Sequence, residues 1–249
     1  MDRVKTFTSF DGIDIAYEDL GSGRPVLMLH GFLFSARINY VDPGIAETVR
    51  ARGLRTIIPD LRGHGRSGKP EDPSDYPKDV LAMDQEALLA HLGVTDYMLV
   101  GYSLGARTAA RMLLRGARPV RCVLAGMGDS GLLEAQARSA GFQDLIRNGA
   151  RSRNPATAQL VADIIQRENL KTRALINILD QQVSMTPEQL ASIATRILVV
   201  SGRDDEDNGS AERLAQLLPN AEAQRVPGTH VSAISAPELG RAIADFLSG

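Results

Sequence analysis

Residues 97–114 read Tyr-Met-Leu-Val-Gly-Tyr-Ser-Leu-Gly-Ala-Arg-Thr-Ala-Ala-Arg-Met-Leu-Leu and combine three patterns in a row. The apolar run Tyr97–Val100 predicts a buried strand, and the alanine-rich run Ala106–Leu114 predicts a helix. Between them, residues 101–105 place glycines around a serine, which permits a tight turn from strand to helix. A serine in such a turn exposes its oxygen at a helix N-terminus, where developing negative charge is favoured. The segment therefore predicts Ser103 as a nucleophile.

Apolar runs of this kind recur along the chain and alternate with helical patterns, which is typical of a mostly parallel sheet with helices on both faces. The Asp11-Gly12 pair between the first two runs suits a tight turn and predicts an antiparallel hairpin. The predicted strands are Lys5–Phe10, Ile13–Glu18, Val26–Leu29, Thr56–Ile58, Tyr97–Val100, Cys122–Ala125, Ile197–Val200 and Ala223–Val226. The predicted helices include Asp79–Leu92, Gly105–Leu114 and Pro237–Leu247. The fold class is therefore predicted as α/β, with eight strands.

The alternation stops between Met127 and Thr195, where helical periodicity continues without a convincing strand. Asn154-Pro155 and Thr186-Pro187 are typical helix starts, with the polar residue as N-cap and proline as the first helical residue, and Asn148-Gly149 marks a further boundary. We expect three or four short helices here. The predicted organisation is a core domain from residues 1–126 and 196–249, with a helical insertion at residues 127–195 between strands six and seven.

A nucleophilic serine needs a base, and the chain offers four histidines. His91 lies near the end of a predicted helix, and His64 lies in a proline-bounded loop. His30 precedes Gly31 in a turn whose backbone matters more than the imidazole. His230 follows the last strand, in the loop region where parallel sheets place ligands. His230 is therefore predicted as the base.

An acid must hold the imidazole in the correct tautomer. The run Asp204-Asp205-Glu206-Asp207 follows the strand Ile197–Val200. Asp205 is the predicted acid because its spacing after Gly202 fits a short turn towards the histidine loop. Asp204 and Asp207 remain alternatives, and Asp129 is an outside candidate.

Composition and charge exclude several other classes. The net charge is −2, from 28 basic and 30 acidic residues, so no global field favours nucleic acid or an anionic membrane. Met1–Phe10 has no apolar stretch of signal-peptide length, and no apolar run approaches 18 residues, so we expect a cytoplasmic protein without membrane insertion. With one cysteine and widely spaced histidines, the sequence indicates neither a metal ion nor another cofactor.

A phosphate-binding loop is also suggested formally at residues 63–69, Gly-His-Gly-Arg-Ser-Gly-Lys. Such a loop needs Ser or Thr after the lysine and a helix whose amides face the phosphate. Pro70 follows Lys69, and further prolines at 73 and 77 prevent a helix from starting. The match is rejected.

The chain resembles the α/β-hydrolase superfamily over essentially its whole length. The order Ser103, Asp205, His230 matches the family's order of nucleophile, acid and histidine. His30-Gly31-Phe32 and the run at residues 60–67, Asp-Leu-Arg-Gly-His-Gly-Arg-Ser, are also typical of the family. The resemblance implies an oxyanion hole formed by the backbone N–H groups of Phe32 and Leu104.

The resemblance also implies that the insertion is a cap over the pocket. Phe34, Tyr102 and Phe142 are the predicted substrate-binding residues, although Tyr102 could instead pack under the turn. Serine as nucleophile disfavours the family's dehalogenases and epoxide hydrolases, which use aspartate at that position. The expected activity is a carboxylesterase acting on small or medium acyl esters. Lactone hydrolysis, carbon–carbon bond hydrolysis and cofactor-free perhydrolysis need the same residues and stay open, as does a ligand-binding receptor with little turnover.

Overall fold

Eight strands form one sheet in the part of the chain that the structure describes. A computed structural model describes residues 4–249; the first three residues of the predicted core domain lie outside the described residues. The strands are β1 (Val4–Thr8), β2 (Asp14–Leu20), β3 (Pro25–Leu29), β4 (Arg55–Pro59), β5 (Met98–Tyr102), β6 (Arg121–Ala125), β7 (Arg196–Gly202) and β8 (Ala221–Val226). Their order across the sheet is β1-β2-β4-β3-β5-β6-β7-β8. The predicted α/β class is confirmed.

The first two strands form the predicted antiparallel hairpin, in a register that pairs Thr8 with Asp14. Gly12 in the connecting turn has φ 90°, which glycine adopts without steric cost. β2 also pairs antiparallel with β4, so of these two strands β1 lies at the edge and β2 does not, whereas the sequence predicted that both are edge strands. From β4 to β8 the strands run parallel.

Ten α-helices accompany the strands in the described part of the chain. They are α1 (Ile45–Arg50), α2 (Val80–His91), α3 (Leu104–Leu114), α4 (Asp129–Leu133), α5 (Ala135–Asn148), α6 (Pro155–Arg167), α7 (Thr172–Asp180), α8 (Pro187–Ala191), α9 (Ala211–Leu217) and α10 (Pro237–Ser248). A wide helical turn at Arg37–Val41 precedes α1.

Both faces of the sheet are buried, which explains why the central strands are nearly continuous apolar runs. On one face, side chains of β3, β5 and β7 pack with α1 and α10. On the other face, alternate side chains of the same strands pack with α2, α3 and α9. Because the strands from β3 to β8 run parallel, the carboxyl ends of β3, β5, β7 and β8 lie at the same edge of the sheet.

The segment between β6 and β7 contains five α-helices, α4 to α8, where the sequence predicted three or four. The predicted N-caps are confirmed: the Asn154 side chain accepts the N–H of Thr157, and Thr186 forms a capping box with Gln189. One extra helix arises because the helical conformation is interrupted at Glu134, between α4 and α5, where no proline or glycine signals an end. The assignment of residues 127–195 as a separate cap domain stays a prediction.

Among residues 4–249, no helix has both the length and the apolar character needed to cross a lipid bilayer.

Candidate active site

The turn from β5 to α3 holds Ser103 in an uncommon backbone conformation, with φ 53° and ψ −109°. The turn is tight because its two glycines lie in close contact. A Cβ on Gly101 would lie 2.2 Å from the carbonyl oxygen of Gly105, and a Cβ on Gly105 would lie 1.9 Å from that of Leu29. Neither position accepts a side chain, which explains the glycine–serine–glycine spacing. A partly exposed serine in a strained backbone conformation is typical of a functional turn.

Three side chains from three different loops meet at this turn. The Oγ of Ser103 lies 3.0 Å from Nε2 of His230, and Nδ1 of His230 lies 2.9 Å from Oδ2 of Asp205. A carboxylate can only accept, so Nδ1 carries the proton and Nε2 is free to accept the serine proton. The structure therefore brings the three predicted residues together in the arrangement that activates a serine for acyl transfer.

Asp205 differs sharply from the neighbouring acids. It is 4% exposed and also accepts the backbone N–H of Asp207 on Oδ1, at 3.1 Å. Asp204 and Asp207 are exposed. Asp129 is engaged elsewhere, since its carboxylate accepts the N–H of Ser210 and lies 3.3 Å from Arg213. Of the four candidates, Asp205 alone is hydrogen-bonded to the imidazole in the described residues.

The backbone N–H of Leu104 begins α3, where the first amides of a helix have no partner within the helix. Opposite this turn, Gly31-Phe32-Leu33 forms a second loop, in which Leu33 has φ 66°. A Cβ on Gly31 would lie 3.5 Å from Cβ of Ser103, so this loop faces the serine closely. The predicted oxyanion donors of Phe32 and Leu104 thus belong to the two loops that flank Ser103.

Three buried side chains hold the Gly31–Leu33 loop. The N–H of Gly31 donates to Oδ1 of Asn39 at 2.9 Å, and the N–H of Leu33 donates to Nε2 of His64 at 3.2 Å. Nε2 of His30 accepts the N–H of Leu61 at 2.9 Å, which ties this loop to the one after β4. Sequence reasoning missed these roles and assigned importance at His30 to the backbone rather than the imidazole.

Both buried imidazoles are neutral. Because each Nε2 accepts a backbone N–H, the proton lies on Nδ1, which donates to the carbonyl of Gly31 in His30 and of Arg62 in His64. Burial lowers the pKa of His30, and burial together with the neighbouring His30 lowers the pKa of His64 to about 3. Neither histidine becomes protonated near neutral pH, so the loop contacts persist.

The predicted substrate-binding residues occupy different places. Phe142 on α5 packs edge-on against Phe32, with ring centroids 5.3 Å apart, so the insertion covers the Gly31–Leu33 loop. Phe34 is half-buried, and its ring would lie 3.4 Å from a Cβ on Gly31. Tyr102 is 1% exposed, and its hydroxyl donates to the carbonyl of His230 at 2.6 Å. The structure thus gives Tyr102 the packing position under the turn rather than a pocket surface, and burial raises its pKa.

One further residue at the site had no recognisable sequence signal. Asn208 is 3% exposed, and its amide nitrogen donates to the carbonyl of Gly126 at 3.0 Å. The same nitrogen lies 3.4 Å from Nδ1 of His230. Nδ1 carries the proton that it donates to Asp205, so it cannot accept from this nitrogen, and only the contact with Gly126 is a hydrogen bond. Asn208 thus fastens the loop after β7 to the end of β6.

Asp205, Asp207 and His230 also place their ligand atoms within 4.8 Å of one another, as a cation site would. A metal ion bound here would need Nδ1 of His230 without a proton. In the structure Nδ1 carries a proton, which it donates to Asp205 in a hydrogen bond. The geometry favours the hydrogen-bonded triad over a cation.

Residues 24–147 match the family model described as alpha/beta hydrolase fold. The chain is 35% identical to a non-heme haloperoxidase of Rhodococcus erythropolis over 146 residues, which are 58% of this chain and 52% of that protein. It is 36% identical to an epoxide hydrolase 2 of Siraitia grosvenorii over 110 residues, 44% of this chain and 34% of that protein. The matched segments thus span about half, or less, of these relatives' own length.

Solved structures are similar over nearly the whole chain. An esterase from Exiguobacterium antarcticum matches with a TM-score of 0.75 at 20% identity, covering 98% of this chain and 99% of that one. A meta-cleavage product hydrolase from Pseudomonas fluorescens IP01 matches with a TM-score of 0.76 at 22% identity, covering 98% and 97%. At these identities the similarity demonstrates a shared fold.

Proposed function

The chain belongs to the α/β-hydrolase superfamily, and on this basis we propose that it is a serine hydrolase that cleaves carboxylic esters of small or medium acyl chain length. The observation that carries the proposal is the contact chain from Ser103 through His230 to Asp205, with distances of 3.0 and 2.9 Å. The proposed ligand is a small-molecule ester or lactone.

In the first half of the reaction, Ser103 Oγ attacks the acyl carbon while its proton passes to Nε2 of His230. The buried Asp205 carboxylate stabilises the imidazolium that forms. The N–H groups of Phe32 and Leu104 donate to the oxygen of the tetrahedral intermediate; loss of one such donor typically costs about 2.7–4 kcal/mol of transition-state stabilisation. Collapse of the intermediate releases the alcohol, which takes its proton from His230.

In the second half, water attacks the acyl-serine. His230 takes a proton from that water, and the second tetrahedral intermediate collapses to the carboxylic acid as Ser103 recovers its proton. Tyr102 supports both halves because its hydroxyl fixes the carbonyl of His230 at 2.6 Å.

The curated relatives favour a second candidate. Several are named as haloperoxidases or chloroperoxidases without heme, at 35–37% identity over their matched segments. The corresponding reaction here is perhydrolysis, in which hydrogen peroxide replaces water in the attack on the acyl-serine and the product is a peracid. Other relatives are named epoxide hydrolases, but that chemistry uses an aspartate nucleophile, and this chain has Ser103 in its place.

The test is hydrolysis of p-nitrophenyl esters from acetate to long acyl chains by the wild type and Ser103→Ala. We expect multiple turnovers with an optimum at short or medium acyl length, and a loss of about 10⁴-fold or more in the variant. Addition of hydrogen peroxide and detection of peracid distinguishes the second candidate. Absence of turnover on every ester by the folded wild type would refute the esterase proposal.

A further inference from the structure

Arg107 on α3 is a buried cation without an acid partner among residues 4–249. It is 8% exposed, and its one side-chain hydrogen bond runs from Nη2 to Oδ1 of Asn208 at 3.4 Å. Its Nε is buried and has no partner. The next two arginines along the chain have acid partners: Arg111 on α3 makes two contacts of 2.7 Å with Asp79, and Arg115, directly after α3, makes two of 2.8 Å with Glu86.

The Arg107 side chain lies on the active-site side of α3. Arg107 comes four residues after Ser103 and donates its backbone N–H to the Ser103 carbonyl at 3.0 Å. Residues four apart share a helix face, and helical side chains tilt towards the N-terminus, which is where Ser103 lies. Arg107 also contacts Asn208, whose amide nitrogen lies 3.4 Å from Nδ1 of His230, and this contact agrees with that direction.

A second group of donors approaches from the insertion. Nε of Arg138 and Oγ of Ser139, both on α5, are buried without hydrogen-bond partners. Arg138 is close enough to Arg107 for its charge, together with burial, to lower the pKa of Arg107 to about 10. The carboxylates of Asp205, Asp207 and Glu134 partly offset the charge of Arg138. None of these carboxylates is hydrogen-bonded to Nε of Arg107, Nε of Arg138 or Oγ of Ser139, which therefore lack acceptors.

We propose that Arg107 and Arg138 form a subsite for a free carboxylate on the substrate. The inference rests on the proposed function and narrows its substrate class to esters that carry a carboxylate on the acyl chain. A guanidinium binds a carboxylate through two parallel hydrogen bonds, and burial strengthens both. An anion there would supply the acceptors that Nε of Arg107, Nε of Arg138 and Oγ of Ser139 lack.

The experiment compares kcat/KM for two esters of similar acyl length, p-nitrophenyl hydrogen glutarate and p-nitrophenyl hexanoate. We expect the ratio of the two values, glutarate over hexanoate, to fall about 10- to 100-fold in Arg107→Gln, mainly through KM. Arg138→Gln should lower the ratio in the same direction. Arg115→Gln, which removes one positive charge directly after the same helix, is the matched control and should leave the ratio at its wild-type value.

A structural role for Arg107 predicts a different result, in which both esters lose the same factor and the ratio stays constant. That outcome, or a wild-type ratio that neither variant changes, would overturn the carboxylate subsite while leaving the esterase proposal intact. If Arg107→Gln does not fold, Arg138→Gln provides the same ratio test. Absence of turnover on both esters by the folded wild type, and on every other ester tested, would refute both proposals. Succinate and adipate half-esters then report the distance between the reacting carbon and the carboxylate.

Discussion

The carboxylate of Asp205 accepts hydrogen bonds from two sides, from His230 and from the backbone of Asp207. Its neighbours Asp204 and Asp207 are exposed and carry the same charge at nearly the same place in the chain. The difference between them is therefore one of geometry, because only the buried carboxylate can fix the imidazole tautomer. Asp204 and Asp207 are therefore matched controls for Asp205, because they carry the same charge without a hydrogen bond to the imidazole.

We predict that Asp205→Asn lowers kcat by about 10³- to 10⁴-fold, because an amide nitrogen towards Nδ1 favours the wrong tautomer. Asp204→Asn and Asp207→Asn each remove one negative charge without touching that hydrogen bond, and we expect changes of less than about threefold. Steady-state kinetics on one p-nitrophenyl ester measures all three. A larger loss in Asp204→Asn or Asp207→Asn than in Asp205→Asn would reassign the acid.

The sequence predicted Ser103 and His230 because each follows a strand in a loop with few competing residues of its type. Asp205 had several acidic neighbours and was chosen by its spacing after Gly202. Asn39, His64 and Asn208 were not predicted, since their roles depend on contacts that only the folded chain creates. Asn39, for example, contacts Gly31 from within the wide helical turn at Arg37–Val41, and His64 contacts Leu33 from 31 residues away. No local pattern marks a side chain whose function is to hold another loop.

The turn between β5 and α3 depends on backbone-to-backbone contact. The first turn of α3 lies directly on the end of β3, where a Cβ on Gly105 would meet the carbonyl of Leu29 at 1.9 Å. By contrast, Gly141 on α5 is exposed, and a Cβ there would have no atom within 4 Å. The same substitution therefore tests close packing at one glycine and intrinsic helix propensity at the other.

We predict that Gly105→Ala destabilises the protein by about 3 kcal/mol or more, because backbone atoms must move apart. Gly141→Ala should stabilise the protein by about 0.5–1 kcal/mol, since alanine loses less conformational entropy in a helix. Urea unfolding of both variants gives the two free energies. Equal changes in the unfolding free energy, or no destabilisation by Gly105→Ala, would show that the backbones of Gly105 and Leu29 leave room for a Cβ.

The helices and strands were predictable where a period or a cap marked them. The caps at Asn154 and Thr186 are local side-chain hydrogen bonds and could be predicted from sequence. The split between α4 and α5 could not, because Glu134 breaks the helix without a glycine or proline. The sequence also did not predict that β2 lies between β1 and β4, since the second partner of a strand is decided by long-range pairing.

At the scale of the whole molecule, two buried neutral histidines, His30 and His64, link the loop after β3 to the loop after β4. His30 and His64 cross between the two loops in opposite directions, and Asp60 adds a third link through the N–H of Ala36 at 2.8 Å. In the unfolded chain the imidazole of His64 binds a proton below its ordinary pKa of 6.5, whereas the folded protein keeps it neutral down to about pH 3. The unfolded state therefore binds more protons in this window, and folding stability falls as pH falls.

We predict that His64 alone contributes about 1.4 kcal/mol of stability loss per pH unit below its unfolded pKa. His64→Gln, whose amide oxygen can accept the N–H of Leu33, should show a correspondingly shallower decline of the unfolding free energy between pH 6 and pH 5. Urea unfolding at pH 7, 6 and 5 measures both slopes. Identical slopes would mean that His64 titrates alike in the folded and unfolded chains.

The most direct measurement of the central claim is labelling of the protein with a fluorophosphonate, followed by mass spectrometry of its peptides. A serine activated by His230 and Asp205 should react once per chain at Ser103, at a rate that His230→Gln lowers by about 10³-fold or more. Ser103→Ala should remain unlabelled. Labelling at another residue, or an unreactive Ser103 in the folded wild type, would contradict the account of Ser103 as an activated nucleophile.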